Sequence, residues 1–154
     1  MIDYEELDDG WLVVTGGLPG ESAVAPRWKA DPDVAARAIG EGLALLHSLD
    51  PSDCLFEAPE WVGMQDDVDV LVVVQGDACA PNTLLTDEGA FLAHVDVGDL
   101  GVADRWADLA IASWSLEWNF GPGREQPFWD AYGIAPDPDR IAHYRRLWGE
   151  APSS

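Results

Sequence analysis

The chain has 154 residues, 47% of them apolar and eight of them Trp, which is enough to bury one core and excludes a disordered or fibrous protein. Eight basic residues stand against twenty-nine acidic ones, and the net charge of −21 repels nucleic acid and anionic membrane and attracts polycations. No stretch has the length and apolarity of a membrane span and no basic-then-apolar leader opens the sequence, so the expectation is one cytoplasmic domain over 1–154.

Two readings of the charge stand side by side: solubility, including adaptation to salt, and steering of a cationic ligand. Cys54 and Cys79 are two thiols without an export signal and read as packing residues rather than a disulfide.

Taken in chain order, Trp11 to Thr15 is a short apolar run between Asp8-Asp9-Gly10 and Gly16-Gly17, a strand between turns. Gly16-Gly17-Leu18-Pro19-Gly20 reads as a turn. A helix starts from Asp31 as N-cap with Pro32 at its first position. Ala35, Ile39, Gly42 or Leu43, Leu46 and Leu49 line one side of it, and Pro51 is the stop. Residues 56–69 show no periodicity and collect Glu57, Glu60, Asp66, Asp67 and Asp69, as a loop does.

Leu71 to Val74 is continuous and β-branched, a strand covered on both faces that delivers Gln75, Gly76 and Asp77 at its end. Thr83 to Thr86 and Ala90 to Val95, separated by Asp87-Glu88-Gly89, form a hairpin. Antiparallel pairing over these lengths brings Asn82 and Asp96 to one edge. Asp104 caps a helix running to about Phe120, with Trp106, Leu109, Ala110, Ser113, Trp114 and Leu116 as its apolar belt and Gly121-Pro122-Gly123 as terminator. Phe128 to Tyr132 is a short helix closed by Gly133, and Asp137 and Pro138 start the last helix through Ile141, Tyr144, Arg145 and Leu147, before a polar tail over 151–154. The sum is an α+β fold, mainly helical, with a small sheet at the chemistry.

Asp77, Asn82 and Asp96 are the residues on which chemistry converges. A hard cation takes carboxylate and amide oxygens, which Asp96 and Asn82 supply, leaving Asp77 to accept a hydroxyl proton. His47, His94, His143 and the two Cys do not fall into zinc spacings, and no Gly-x-Ser-x-Gly elbow is present. His94 reads as a packing or hydrogen-bonding neighbour of Asp96.

The run Val72-Val73-Val74-Gln75-Gly76-Asp77-Ala78-Cys79-Ala80-Pro81-Asn82, then His94-Val95-Asp96-Val97-Gly98, then Leu100 through Ala110 resembles the aminoglycoside phosphotransferases. Their core reads His-Gly-Asp-Ala-Cys-x-Pro-Asn, followed by Asp-x-Gly-x-Leu-Gly-Val-Ala-Asp-Arg. Weaker likeness extends to Tyr132-Gly133-Ile134 and Arg140 to Tyr144, and back to Trp11–Thr15 and Leu45-Leu46-His47-Ser48-Leu49. The resemblance implies the mainly helical C-terminal lobe of the protein-kinase-like fold, with a small β-hairpin sheet at the active site. It implies Asp77 as catalytic base, Asn82 and Asp96 as ligands of Mg2+, Gly98 as the backbone hinge after the metal aspartate, and ATP as co-substrate. Asp104 and Asp108 match family positions that support the catalytic loop from below.

Two departures stand out. Gln75 replaces the family's His, and since an amide also donates and accepts, it can organise the loop with Gly76 and Gly98. Asp99 replaces a usual Arg and reverses the local charge. For an aminoglycoside-like substrate, whose phosphorylation would confer antibiotic resistance, the candidates are Asp99, Glu117, Asn119 and Glu150, alongside Asp66, Asp67 and Asp69. The commoner reading of each is a solvated surface charge.

No glycine-rich phosphate loop and no strand lysine paired with a helix glutamate precede Trp11, and Lys29 is the only lysine. Only fourteen residues separate Phe56 from Leu71, where the family carries a longer helical insertion. The expectation is therefore the large lobe without the ATP-binding small lobe. Two functions follow: an aminoglycoside kinase, or a catalytically weak or inactive lobe that binds a polycation or a protein partner. Trp11, Leu12, Val13 and Val14 are expected to lie partly uncovered and to promote self-association, or to meet a complementing small lobe.

Overall fold

The computed structural model describes residues 3–7, 10–14 and 16–150, with the side chains of residue 5 and residues 16–150. The expected strand near Trp11 is present as β2 (Gly10–Val14), paired antiparallel with β1 (Asp3–Leu7) so that Asp3 faces Val14. The side chains of Trp11 to Val14, whose exposure was expected to drive self-association, lie outside the described residues, as does the tail over 151–154.

Two short elements that carry no periodic signal come next, β3 (Glu21–Ser22) and α1 (Pro26–Ala30). The helix expected from Asp31 is α2 (Pro32–His47), with Pro32 at its start, although the Asp31 side chain makes no capping hydrogen bond. Its buried face is built from small residues: Ala35, Ala36, Ala38, Gly40 and Gly42 around Ile39 and Leu43. A Cβ on Gly42 would stand 2.5 Å from the Phe91 ring, and one on Gly40 would collide with the Phe128 carbonyl oxygen. The hairpin and α4 can therefore press directly on the α2 backbone. Leu49 falls beyond the helix end and is exposed.

The small β-hairpin sheet expected at the active site is present, and among the described residues the strands fall into three antiparallel sheets. β4 (Leu71–Val74) pairs with β7 (Gly101–Asp104), with Leu71 opposite Asp104 and Val74 opposite Gly101. β5 (Thr83–Leu85) and β6 (Phe91–His94) form the expected hairpin, flanked by β3, with a register shift between Leu84 and Leu85. Its turn closes through Gly89 at φ +84°.

The core is organised around α3 (Trp106–Phe120). Every residue from Trp106 to Ser113 is buried, so the first two turns are enclosed all round rather than along one belt, and Trp114 is only half-buried. α4 (Gln126–Tyr132) ends in left-handed Gly133, and α5 (Pro138–Glu150) starts where Asp137 accepts the N–H groups of Asp139 and Arg140.

The acidic loop is fastened by its contacts. The Asp69 carboxylate accepts hydrogen bonds from Arg105 Nε at 2.8 Å and Trp106 Nε1 at 2.9 Å, and its N–H donates to Asp104 Oδ2 at 3.0 Å. Arg140 donates to Asp104 Oδ2 at 3.3 Å and to the Asp67 carboxylate at 3.1 Å. Asp67 and Asp69 thus fasten their loop to α3 and α5, a role the sequence did not assign them, while they, like Asp66, remain exposed. Asp104 serves the same clasp, and also accepts the Trp106 N–H at 3.1 Å, instead of supporting the catalytic loop.

The Trp106 indole and the Arg105 guanidinium hold the Asp69 carboxyl below its ordinary value of 3.8. A depressed carboxylate pKa contributes stability that is complete above the unfolded value and is lost as pH falls through the lower folded one. Urea unfolding across pH 5 to 2 is expected to show Asp69→Asn losing less stability below pH 3.8 than the parent chain. Parallel curves would place the acid sensitivity elsewhere.

Candidate active site

β4 runs buried to Val74 and stops, and the residue that follows, Gln75, has no solvent exposure. Its Nε2 donates to the carbonyls of Val95 at 3.1 Å and Asp96 at 3.0 Å, and its Oε1 accepts the Asp77 N–H at 2.7 Å. One amide therefore bridges the loop of Asp77 and the turn of Asp96, using both N–H donors and its oxygen. Gly76 sits at φ +87°, where a Cβ would run into the Asp99 carbonyl, so only glycine fits.

Support from beneath comes from Asp108 on the first turn of α3, fully buried. Its Oδ2 accepts the Gln75 N–H at 2.7 Å and its Oδ1 accepts the Gly76 N–H at 3.0 Å. The same Oδ2 lies 3.0 Å from His47 Nε2, and His47 Nδ1 lies 2.8 Å from the Tyr132 hydroxyl. A carboxylate only accepts, so His47 donates from Nε2, and in the neutral ring Nδ1 accepts the phenol proton. Three helices, α2, α3 and α4, thereby meet under two successive backbone N–H groups of the loop.

Asp77 is half-buried. Its Oδ2 accepts Asn82 Nδ2 at 3.0 Å, and the same amide nitrogen donates to the Asp77 carbonyl at 3.0 Å. Asp77 Oδ1 is buried with no hydrogen-bond partner. With Nδ2 committed to Asp77, the Asn82 amide oxygen faces no donor among the described residues. The Val95 N–H donates to the Asn82 carbonyl at 2.9 Å, extending the hairpin ladder by one rung beyond Thr83 and His94. Asp96 follows at φ +53°, a left-handed conformation unusual outside glycine, with its carbonyl held by Gln75 and its side chain exposed.

The backbone turn thus falls on Asp96 and not on Gly98. Gly98 is exposed, its φ is not in the left-handed region, and a Cβ there would meet open space. Burial, with the negative Asp77 carboxylate beside it, pushes the Cys79 thiol up to about 12, so it stays a thiol. His94 packs on Phe91 at 4.9 Å, and burial pulls its pKa below 6.5. Among the described residues no group of three or more His, Cys, Asp or Glu is arranged to hold a metal ion.

The rim candidates separate. Asn119 donates to the Ser115 carbonyl at 2.8 Å and hydroxyl at 3.2 Å, and that hydroxyl accepts the Ala80 N–H at 2.8 Å, which sets Asn119 beside the loop. Asp99 is exposed and has its backbone against Gly76. Glu117 is directed elsewhere, 3.9 Å from Arg145 of α5. Glu150 is exposed at the end of α5. Two residues before it, Trp148 meets Trp61, whose Nε1–H donates to the Gly76 carbonyl at 2.8 Å. Sequence reasoning assigned no role to Trp61, Trp148 or Tyr132. For His47 the signal was there, in the likeness around Leu46-His47-Ser48.

Asp108→Ala leaves two buried N–H groups without partners at about 1–3 kcal/mol each, so a loss of about 3 kcal/mol is expected in urea denaturation. A change below about 0.5 kcal/mol, the range of ordinary surface substitutions, would contradict the role given to this carboxylate.

Residues 64–144 match the model of the phosphotransferase enzyme family typified by the aminoglycoside kinases. An aminoglycoside 3'-phosphotransferase of Streptomyces fradiae is 37% identical over 149 residues, covering 84% of this chain and 53% of that protein. The chain thus spans about half the length of this curated relative. A crystal structure of an aminoglycoside-3'-phosphotransferase of type VIII superposes with a TM-score of 0.72 at 28% identity, over 95% of this chain and 72% of that one. An aminoglycoside phosphotransferase of Streptomyces rimosus, solved in complex with ADP and streptomycin, shares the fold with a TM-score of 0.69 at 22% identity, over 94% and 72% of the two chains. The fold is the α+β C-terminal lobe of the protein-kinase-like kinases, and the chain belongs to the aminoglycoside phosphotransferase family.

Proposed function

We propose that this chain carries the acceptor-activating half of an ATP- and Mg2+-dependent kinase that moves the γ-phosphoryl group to a hydroxyl of an aminoglycoside or a similar cationic small molecule. The observation that carries the reading is the Asp77 carboxylate, with Oδ2 fixed by Asn82 and Oδ1 buried without a partner. An acceptor hydroxyl donating to Oδ1 would satisfy that atom, and Asp77 would take its proton as the oxygen attacks phosphorus. Phosphoryl transfer asks the protein for position and electrostatics rather than covalent chemistry, which is what a loop pinned by Gln75 and Asp108 supplies.

The donor set fits magnesium. The Asn82 amide oxygen and the Asp96 carboxylate are hard oxygens with no partner recorded among the described residues. Mg2+ characteristically takes one or two protein oxygens and fills its remaining positions with water and phosphate. Once bound, the ion would neutralise charge on the transferring phosphoryl group. Asp99, Asn119 and Glu150 would meet the amines of the substrate, with Glu117 set apart by its pairing to Arg145.

The one lysine, Lys29, is exposed on α1, so the reading gives it no part in cradling nucleotide phosphates. It also places the protein in the cytoplasm, with antibiotic resistance as the consequence of turnover. Among the described residues, no helix is long and apolar enough to cross a membrane. The charge of −21 also suits a second reading, a lobe that holds a polycation without turnover.

Calorimetry with Mg-ATP and with kanamycin separates the two: binding of both supports the kinase, and binding of the cation alone supports the module. In a phosphotransfer assay, Asp77→Asn is expected to lower kcat at least about 100-fold while leaving kanamycin affinity nearly unchanged. Full activity in that variant would remove Asp77 from the mechanism.

A further inference from the structure

Trp61 and Trp148 have no part in the roles above, and the geometry points to them as an aromatic platform for a ring-bearing cation beside Asp77. The inference deepens the proposed function of the same site and rests on it. Trp61 stands in a turn closed by the Val62 N–H on the Pro59 carbonyl at 3.0 Å, inside the short segment between Phe56 and Leu71. Its indole N–H donates at 2.8 Å to the Gly76 carbonyl, which belongs to the same peptide unit as the Asp77 N–H. The ring is therefore fixed one peptide away from the base.

Trp148, from the last turns of α5, meets Trp61 at 4.9 Å between centroids and 84° between planes. Perpendicular rings cannot cover each other's faces on both sides, and both residues are only half-buried. Each has an exposed carboxylate close in sequence: Glu60 precedes Trp61, and Glu150 follows Trp148 by two residues. A crossed indole pair one peptide from Asp77, in a chain of net charge −21, suits one ligand chemistry, a saturated ring bearing protonated amines. The ring's C–H face packs on the indole, an ammonium within about 6 Å of the centroid is drawn to the ring quadrupole, and the acids pair with the remaining amines.

A charged rim alone attracts any polycation, whereas the platform selects those with rings. This difference is the test. Titration calorimetry of the full chain with kanamycin and with spermine, a flexible polyamine without rings, compares the parent with Trp61→Leu, Trp148→Leu and Trp61→Phe. The leucine variants are expected to weaken kanamycin about ten-fold each and spermine less than about two-fold, while Trp61→Phe, which keeps a ring face and loses the N–H, stays within about three-fold for kanamycin.

Circular dichroism melts identify any variant that fails to fold. If Trp61→Leu does, Trp148→Leu and Trp61→Phe carry the comparison. Equal weakening of both cations, or of neither, overturns the platform while leaving the functional reading intact, because the parent still binds kanamycin. A parent chain that binds no kanamycin overturns both.

Discussion

A single buried amide makes this site one object. The segments that carry Asp77 and Asp96 leave their strands as irregular backbone, and irregular backbone holds position only where its polar groups find fixed partners. Gln75 supplies them on both sides, donating to the Val95 and Asp96 carbonyls and accepting the Asp77 N–H. Asp108 anchors the same residue from the helix below through the Gln75 N–H. The strand end, the hairpin end and the central helix are thus registered through one side chain. The Gln75 amide makes this connection by reaching two carbonyls and one N–H at once.

Packing choices elsewhere follow from holding α3 in place under that loop. α2 presents glycine and alanine to its neighbours, so Phe91 of the hairpin and the backbone of α4 come close on either side. His47 near the end of α2 and Tyr132 at the end of α4 then reach Asp108 as a chain. Four of the eight cations are engaged structurally: Arg105 and Arg140 in the clasp on the acidic loop, Arg27 between Glu21 and Asp87, and Arg145 against Ser113 and Glu117. The exposed acids Asp96, Asp99 and Glu150 pair with no cation among the described residues.

Much of this was legible in the sequence because it was carried by local signals. The Leu71–Val74 strand, the hairpin around Gly89, and helices α2, α3 and α5 follow from periodicity and from Gly, Pro and Asp punctuation, and the convergence of Asn82 with Asp96 follows from antiparallel register. β3 and α1 were not legible, since two and five residues are too short for a pattern. β7 lay hidden within the Gly101–Asp104 motif, and the enclosure of α3 on all sides is set by tertiary packing. Most of all, the fate of Asp67 and Asp69 depended on Arg140 and Arg105, 73 and 36 positions away. Two of the three acids that look like one ligand-facing cluster in one dimension also fasten the loop in three. The positive φ at Asp96 rather than Gly98 likewise reflects the pull of Gln75 on its carbonyl, which no local rule reveals.

The central proposal is that Asp77, Asn82 and Asp96 would surround one cation position because Gln75 holds their loops together. Paramagnetic broadening by Mn2+, a spin-bearing substitute for Mg2+, tests it most directly on an isotope-labelled chain. The account expects the Asn82 side-chain amide and the backbone amides of Asp96 and Asp77 to broaden first, and expects Gln75→Leu to disperse that pattern. Broadening concentrated on residues 66–69 with Asn82 untouched would contradict it.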